Sequence, residues 1–276
     1  MGVGAKMTSS RIVGRLALKA AAGLSLAYIL LPIVFVIWLA FFAQEIPSFP
    51  PEGYSLKWFR AIPDNDRFVS GFLLSLQVAV VATAIGLAIG IPAAVCLARA
   101  RFAGREALNN LLLMPLVVPG IVLGLAIYVF QVETEIATDL PILGSLAGLI
   151  TAHVLIAIPW TVRLITASLV GMDRTVEEAA QSLGADRLTT FRRVTLPAIL
   201  PGIVAAALFG FIASFENLEM SLFLVGPGRT TLPIAILQYL EWKIDPTIAA
   251  VSVLQILFIG AVMLLTDRFV RIGRVV

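Results

Sequence analysis

The sequence predicts an all-α membrane protein with six transmembrane helices and both termini in the cytoplasm. Three observations carry that prediction. The chain has 276 residues, of which 59% are hydrophobic and only 13% charged, whereas a soluble domain is roughly a quarter charged. Six apolar runs reach the roughly 20 residues a helix needs to cross a bilayer: Ala21–Ala43, Ser70–Leu97, Asn109–Phe130, Leu146–Val170, Pro201–Val225 and Thr247–Thr266. The basic residues are also unevenly shared between the two sides of such a bundle. Fifteen of the 20 Lys and Arg fall on one side: Lys6, Arg11, Arg15, Lys19, Arg99, Arg101, Arg105, Arg163, Arg174, Arg187, Arg192, Arg193, Arg268, Arg271 and Arg274. Lys57, Arg60, Arg67, Arg229 and Lys243 fall on the other. The positive-inside rule assigns the first side to the cytoplasm.

Taken in order, residues 1–20 read as a basic cytoplasmic segment and residues 21–43 as the first helix. Pro32 interrupts that run and "FFAQEIPS" is a poor cleavage site, so it reads as a retained helix rather than a signal peptide. Residues 44–69 form an outer loop, "QEIPSFPPEGYSLKWFRAIPDNDR", whose prolines, aromatics and charges suit a small surface cap. Residues 70–266 hold the other five spans, and residues 267–276 form a cytoplasmic tail. In the second span Gly86 and Gly90 make a GxxxG, which permits close helix approach. Asn109 and Asn110 open and cap the third span. Pro115 and Pro119 should kink it, as Pro159 should kink the fourth. The single His153 reads as a hydrogen-bonded interior residue and the single Cys96 as a small apolar filler. One Cys and one His exclude a disulfide framework and a Cys/His metal site. A net charge of +3, spread along the chain, is no nucleic-acid footprint.

Between the fourth and fifth spans lies "EEAAQSLGADRLTTFRRVTLP", Glu177 to Pro197, within a polar segment at 173–197. It reads as two short helices. Thr175 and Glu178 fit a capping box, in which hydroxyl and carboxylate each satisfy an orphan backbone donor, and such a cap contributes about 1 kcal/mol. Val176, Ala179, Ala180 and Leu183 share one helical face. Gly184 suits the positive φ needed just past a helix end. Asp186 caps a second helix over 187–193, whose arginines favour the negative end of its dipole. Pro197 and Pro201 then begin the next span. A thin apolar face of small residues buries too little to hold a core, and it suits a knob that enters a groove on another protein.

Glu178-Ala179-Ala180, three residues, Gly184, nine residues, Val194, one residue, and Leu196-Pro197 resemble the EAA motif of binding-protein-dependent ABC importer permeases. In that family's pattern only Val194 departs, standing where Ile is usual. The resemblance implies the type-I permease fold over 70–266. It implies that Glu178, Ala179, Ala180, Leu183, Gly184, Leu196 and Pro197 form a coupling helix that seats in an ATP-hydrolysing partner. The chain has no G-x4-GK[ST] phosphate loop of its own, so it is read as no enzyme, with no cofactor on this chain; ATP and Mg would be bound by the partner ATPase. A homologous second permease, a dimer of ATPase subunits, a periplasmic substrate-binding protein and the lipid bilayer are the implied partners, with no nucleic acid. The implied location is the bacterial inner membrane.

The fifth span carries Glu216 and Glu219, three apart and so on one helical face, with Asn217 beside them. By helical rise Glu216 lies about 13 Å from the outer end near Val225. An ionised acid at such depth costs at least about 2.5–3.5 kcal/mol on insertion scales and is a functional candidate. Two readings stand. The acids line the solute path and attract a cation, with Phe215 or Phe211 adding cation–π contacts, or they hydrogen-bond to a partner permease. "SFENLEMSLFLVGPGRTTLP" is similar to the spermidine/putrescine branch of these permeases, which implies a polyamine or related small cation. Iron, phosphonate or amino-acid-derived ligands are the alternatives within the class. An ion-coupled secondary transporter using Glu216, Glu219 and His153 as its relay is the alternative outside it.

Overall fold

The computed structural model describes the backbone of residues 3–270 and the side chains of residues 14–268. The expected tail residues at 271–276, Arg271 and Arg274 among them, and the side chains of Lys6 and Arg11 lie outside the described residues. Six helices are long and apolar enough to cross a membrane, within Gly14–Leu39, Asp66–Arg99, Gly120–Thr138, Leu146–Gly171, Arg187–Phe215 and Thr247–Arg268.

The chain divides into two compact units, Met1–Asp64 with Lys243–Ile256, and Asn65–Trp242 with Leu257–Val276. The first unit begins with α1 (Val3–Leu39), which runs as helix through the segment expected to precede it. Many of its large apolar side chains are exposed, Leu24, Leu26 and Tyr28 among them, as suits a helix surrounded by lipid or by another chain. The loop after it folds back through a bridge between Phe42 and Tyr54 and a short α2 (Lys57–Ala61). Trp58 is buried there, its Nε1–H donating to the Phe42 carbonyl at 2.7 Å, and it packs with Ala40, Ala249, Ala250 and Val253. An indole needs such an acceptor when buried, so the expected cap has a core of its own. α12 (Thr247–Val270) starts in this unit, with the Asp245 carboxylate accepting from the Thr247 amide at 2.9 Å.

The second unit is built on α3 (Asp66–Arg99), α6 (Leu146–Gly171) and α9 (Leu196–Phe215). Gly86 and Gly90 of α3 press on Ala157 and Thr161 of α6; a Cβ on Gly86 would lie 2.7 Å from that of Ala157. Without a hydrophobic drive between helices in lipid, such close packing is what holds them together, and a leucine at either glycine would force α3 and α6 apart. Pro159 lies buried inside α6 without ending it. Cys96 is exposed rather than filling this core.

Two spans differ from expectation. The run at 109–130 is not one helix. α4 (Arg105–Leu113) contains Asn109 and Asn110 in its interior, its N-cap being Gly104. A single 3-10 turn at Met114–Leu116 follows, and Pro119 caps α5 (Gly120–Thr138). Two prolines four residues apart each remove an amide donor and clash with the preceding turn, so the helix breaks rather than kinks. α5 also continues past Phe130 because its polar residues find partners. Gln131 donates to the Gly148 carbonyl at 2.9 Å, and Glu135 accepts from the amides of Ile142 and Leu143 at 3.0 and 2.9 Å.

The run at 201–225 also breaks. α9 ends at Phe215, and a turn at 216–220 leads into α10 (Ser221–Leu224). The Asn217 carboxamide accepts from the Met220 amide at 2.9 Å, so this side chain offers the backbone an alternative to the helix. α11 (Leu232–Trp242) follows. Its first amide, Leu232, donates to Ser75 of α3 at 2.9 Å, which fixes the Thr-Thr-Leu-Pro loop.

Candidate functional site

Two regions of the second unit carry the expected functional residues. The first is the polar segment between α6 and α9. It opens with α7 (Arg174–Ser182), whose N-cap is Asp173, accepting from the Thr175 amide at 2.9 Å. The expected Thr175–Glu178 box is therefore not formed. A carboxylate at Asp173 is a better acceptor than a hydroxyl and starts the helix two residues earlier. That bond holds the Asp173 carboxyl below its usual range. At the other end Gly184 has φ +91°. The Ala185 amide donates to the Ala180 carbonyl at 3.1 Å and the Gly184 amide to that of Gln181 at 2.9 Å, a Schellman ending that a left-handed glycine permits.

Asp186 then accepts from the Thr189 amide at 3.0 Å, which lowers its carboxyl in the same way. It caps α8 (Arg187–Thr190). The helix does not stop there. A π turn at Phe191–Thr195 carries α8 directly into α9. The amide of Leu196 reaches the carbonyl of Phe191, a register shift that accommodates the missing donor at Pro197. The expected separate second helix is thus the first two turns of the fifth span.

Glu178, Ala179, Leu183, Gly184 and Pro197 are exposed, and Ala180 and Leu196 are partly buried. Val176 and Leu183 are 51% and 90% exposed, so much of the apolar face of α7 is uncovered among the described residues. What fixes the segment is Glu177, the neighbour of the motif glutamate. One oxygen accepts from the Thr195 hydroxyl at 2.6 Å. The other lies 3.2 Å from Arg99 Nε, at the end of α3, as an ion pair. Sequence reasoning missed Glu177 and Arg99, because the pairing joins residues 78 positions apart in the numbering and no local pattern signals it.

The second region is a cavity of about 210 Å³. It forms where three irregularities meet: the break between α4 and α5, Pro159 of α6 and the turn at 216–220. Pro115, Gly120, Ile156, Pro159, Asn217 and Glu219 are among its walls. Irregular backbone at membrane depth is tolerated where it is buried in protein or lines a watery cavity. Glu219 leans on the first residue of α5. Gly120 has no room for a Cβ there, since it would collide with the Glu219 carboxylate. The positive end of the α5 dipole favours an anion at that place.

Glu216 and Glu219 do not share a helical face, because the helix has ended at Phe215. Both are exposed, and Glu219 and Asn217 border the cavity while Glu216 does not. Phe215, expected beside the path, is packed in an aromatic cluster. It is 1% exposed and enclosed by Phe72, Phe211 and Phe258 with ring centroids 5.4–5.6 Å away. His153 is buried as expected, between the hydroxyls of Ser214 at 2.8 Å and Ser221 at 3.3 Å. No group of three or more His, Cys, Asp or Glu able to hold a metal occurs among the described residues.

Comparison with known proteins agrees with this architecture. The sequence matches the family described as "Binding-protein-dependent transport system inner membrane component" over residues 86–272. It is 32% identical to the putrescine transport system permease protein PotI of Escherichia coli (strain K12), over 76% of this chain and 75% of that one. It is 26% identical to the spermidine/putrescine transport system permease protein PotC of Haemophilus influenzae, over 89% of this chain and 93% of that one. In fold it is similar to a chain of a bacterial alginate ABC transporter solved in complex with an alginate pentasaccharide-bound periplasmic protein, with TM-score 0.72, 16% identity and coverage of 94% and 95%. A chain of the MetNI methionine ABC transporter, in inward-facing conformations, gives TM-score 0.63 at 24% identity and coverage of 76% and 97%. The chain belongs to the family of binding-protein-dependent transport system inner membrane components, and it is a multi-pass inner-membrane permease subunit of an ABC importer.

Proposed function

We propose that this permease admits a small cationic solute of the polyamine kind, and that a partner ATPase moves it through α7. The observation that carries the mechanical part is the state of α7. It is capped at both ends, pinned by Glu177, and presents Leu183 at 90% exposure. A rigid, short helix with an uncovered apolar tip transmits displacement to α9 and α3 and leaves its tip free to enter a groove. The charge bias supports reading α7 and both termini as cytoplasmic. Two ATPase subunits dock there, one on this chain and one on a homologous second permease. A binding protein delivers solute from outside, to the outer loops, residues 48–67 and 226–233 among them. Closure of the nucleotide-bound motor swings α7 and opens the path outward, and hydrolysis resets it. ATP and its Mg stay on the motor, and this chain makes and breaks no covalent bond.

The solute class rests on two exposed carboxylates, Glu219 at the cavity and Glu216 in the same turn, together with the putrescine and spermidine/putrescine transport named for two relatives. A probable molybdenum ABC transporter permease of Haloferax volcanii is 31% identical over 88% of this chain and 86% of its own. Two carboxylates would repel any anionic cargo, so the cationic reading is preferred. The test is ATP hydrolysis by the assembled complex with its binding protein. Stimulation by putrescine or spermidine is expected; stimulation by an anionic ligand and by neither polyamine would overturn the solute class.

A further inference from the structure

The hydrogen bonds around His153 have a direction. Ser221 spends its only hydroxyl proton on the Asn217 carbonyl, at 2.8 Å. With that bond assigned, its oxygen is the acceptor for His153 Nε2, 3.3 Å away. A neutral imidazole carries one N–H, so Nδ1 is left as acceptor for the Ser214 hydroxyl at 2.8 Å. Ser214 is the penultimate residue of α9 and Ser221 is the first of α10. One ring on α6 thus bridges both ends of the turn that carries Glu216, Asn217 and Glu219, and the chain of donors ends inside that turn.

We propose that His153 is a positioning residue: in its Nε2–H tautomer it clasps Ser214 and Ser221 and holds the unwound 216–220 segment against the cavity. Without the clasp α9 and α10 lose their shared anchor on α6. The importance of the clasp for transport rests on the reading that the cavity belongs to the solute path. The clasp itself does not, and the measurements that test it involve no solute.

His153 is the only histidine in the chain, so its ring is observable. In the assembled complex labelled with 15N-histidine, the spectrum of the parent minus that of His153→Gln isolates its two nitrogens. A protonated Nε2 and a bare Nδ1 are expected; a protonated Nδ1 or an averaged ring overturns the proposal. The second arm uses the single native cysteine. In a Cys96→Ser chain carrying Leu218→Cys, the rate of maleimide labelling should rise about fivefold in His153→Leu, the effect of one lost hydrogen bond of ordinary strength. Gln retains a donor and an acceptor and should restore the rate to within about twofold of the parent. Ser221→Ala, a smaller change suited to the case where His153→Leu fails to assemble, should raise labelling in the same direction. Parent-like labelling in whichever of these two variants assembles would overturn the clasp.

Discussion

The segment around α7 and the cavity beside Glu219 are made in opposite ways. The two ends of α7 are specified by its own neighbours. Asp173 caps the amide two residues on, Gly184 closes the end, and Asp186 starts the next turn. The cavity is specified by nothing local. It exists because the α4–α5 break, Pro159 and the turn at 216–220, drawn from three parts of the chain, meet at one place. A capped helix can be encoded by consecutive residues, whereas a cavity of this kind needs several helices to meet. Damage to α7 should therefore leave the fold intact and stop the work, while damage to the cavity should change what is moved.

The largest effect is expected at Gly184 and Ala180. Gly184→Asp places a side chain at φ +91°, where L-residues pay about 1–2 kcal/mol, and sets a negative charge at the negative end of the helix. Transport in vesicles should fall at least about tenfold, the effect of weakening the docked state by ~1.4 kcal/mol. Ala180→Asp should act similarly, with normal amounts of the chain in the membrane in both. A parent-like uptake rate would separate α7 from the motor.

Next comes the cavity. Glu219→Gln and Glu216→Gln should each reduce polyamine transport roughly threefold to tenfold, as loss of ~1 kcal/mol of charge attraction in a hydrated site implies. Solute affinity of the binding protein should not change. Glu219 should show the larger effect, because it borders the cavity and Glu216 does not. Equal rates in mutants and parent would remove both from the path. A smaller effect is expected at Glu177→Gln, which keeps the acceptor for Thr195 but loses the ion pair to Arg99. A partly exposed pair contributes about 1 kcal/mol or less, so ATP consumed per solute moved should rise about twofold to threefold. An unchanged ratio would show that the pair does not transmit force.

The smallest effect concerns pH. The anionic forms of Asp173 and Asp186 are the caps, and both carboxyls are held below their usual value of 3.8. Their contribution is complete above that value and is lost as pH falls through the lower folded-state values. Hydrogen exchange at the Thr175 and Thr189 amides, corrected for intrinsic rate, should lose protection there. Protection that persists in Asp173→Ala would disprove the assigned cap.

The same contrast explains what was legible in the sequence. Apolar length located all six spans, and the spacing from Glu178 to Pro197 marked the segment that contains α7, because both signals are local. The start of α7 was misplaced by two residues because two adjacent acceptors, Asp173 and Thr175, compete for one role and only geometry decides between them. The two broken spans were read as continuous since proline and asparagine signal a break only where the surrounding bundle supplies partners for the freed groups. The packing of Phe215 was not legible because an aromatic beside a carboxylate looks the same in sequence whether it faces open space or Phe72, Phe211 and Phe258. The Glu177–Arg99 pair and the His153 clasp join distant positions, and no window along the chain contains both ends.

The central claim is that this subunit is moved by force received at the tip of α7. A photo-crosslinking side chain placed at Leu183 in the assembled complex tests it most directly. The ATPase subunit should be the crosslinked product, with a yield that changes between nucleotide-free and ATP-bound states. Crosslinks confined to lipid or to the binding protein, or none to the ATPase in any state, would contradict the claim.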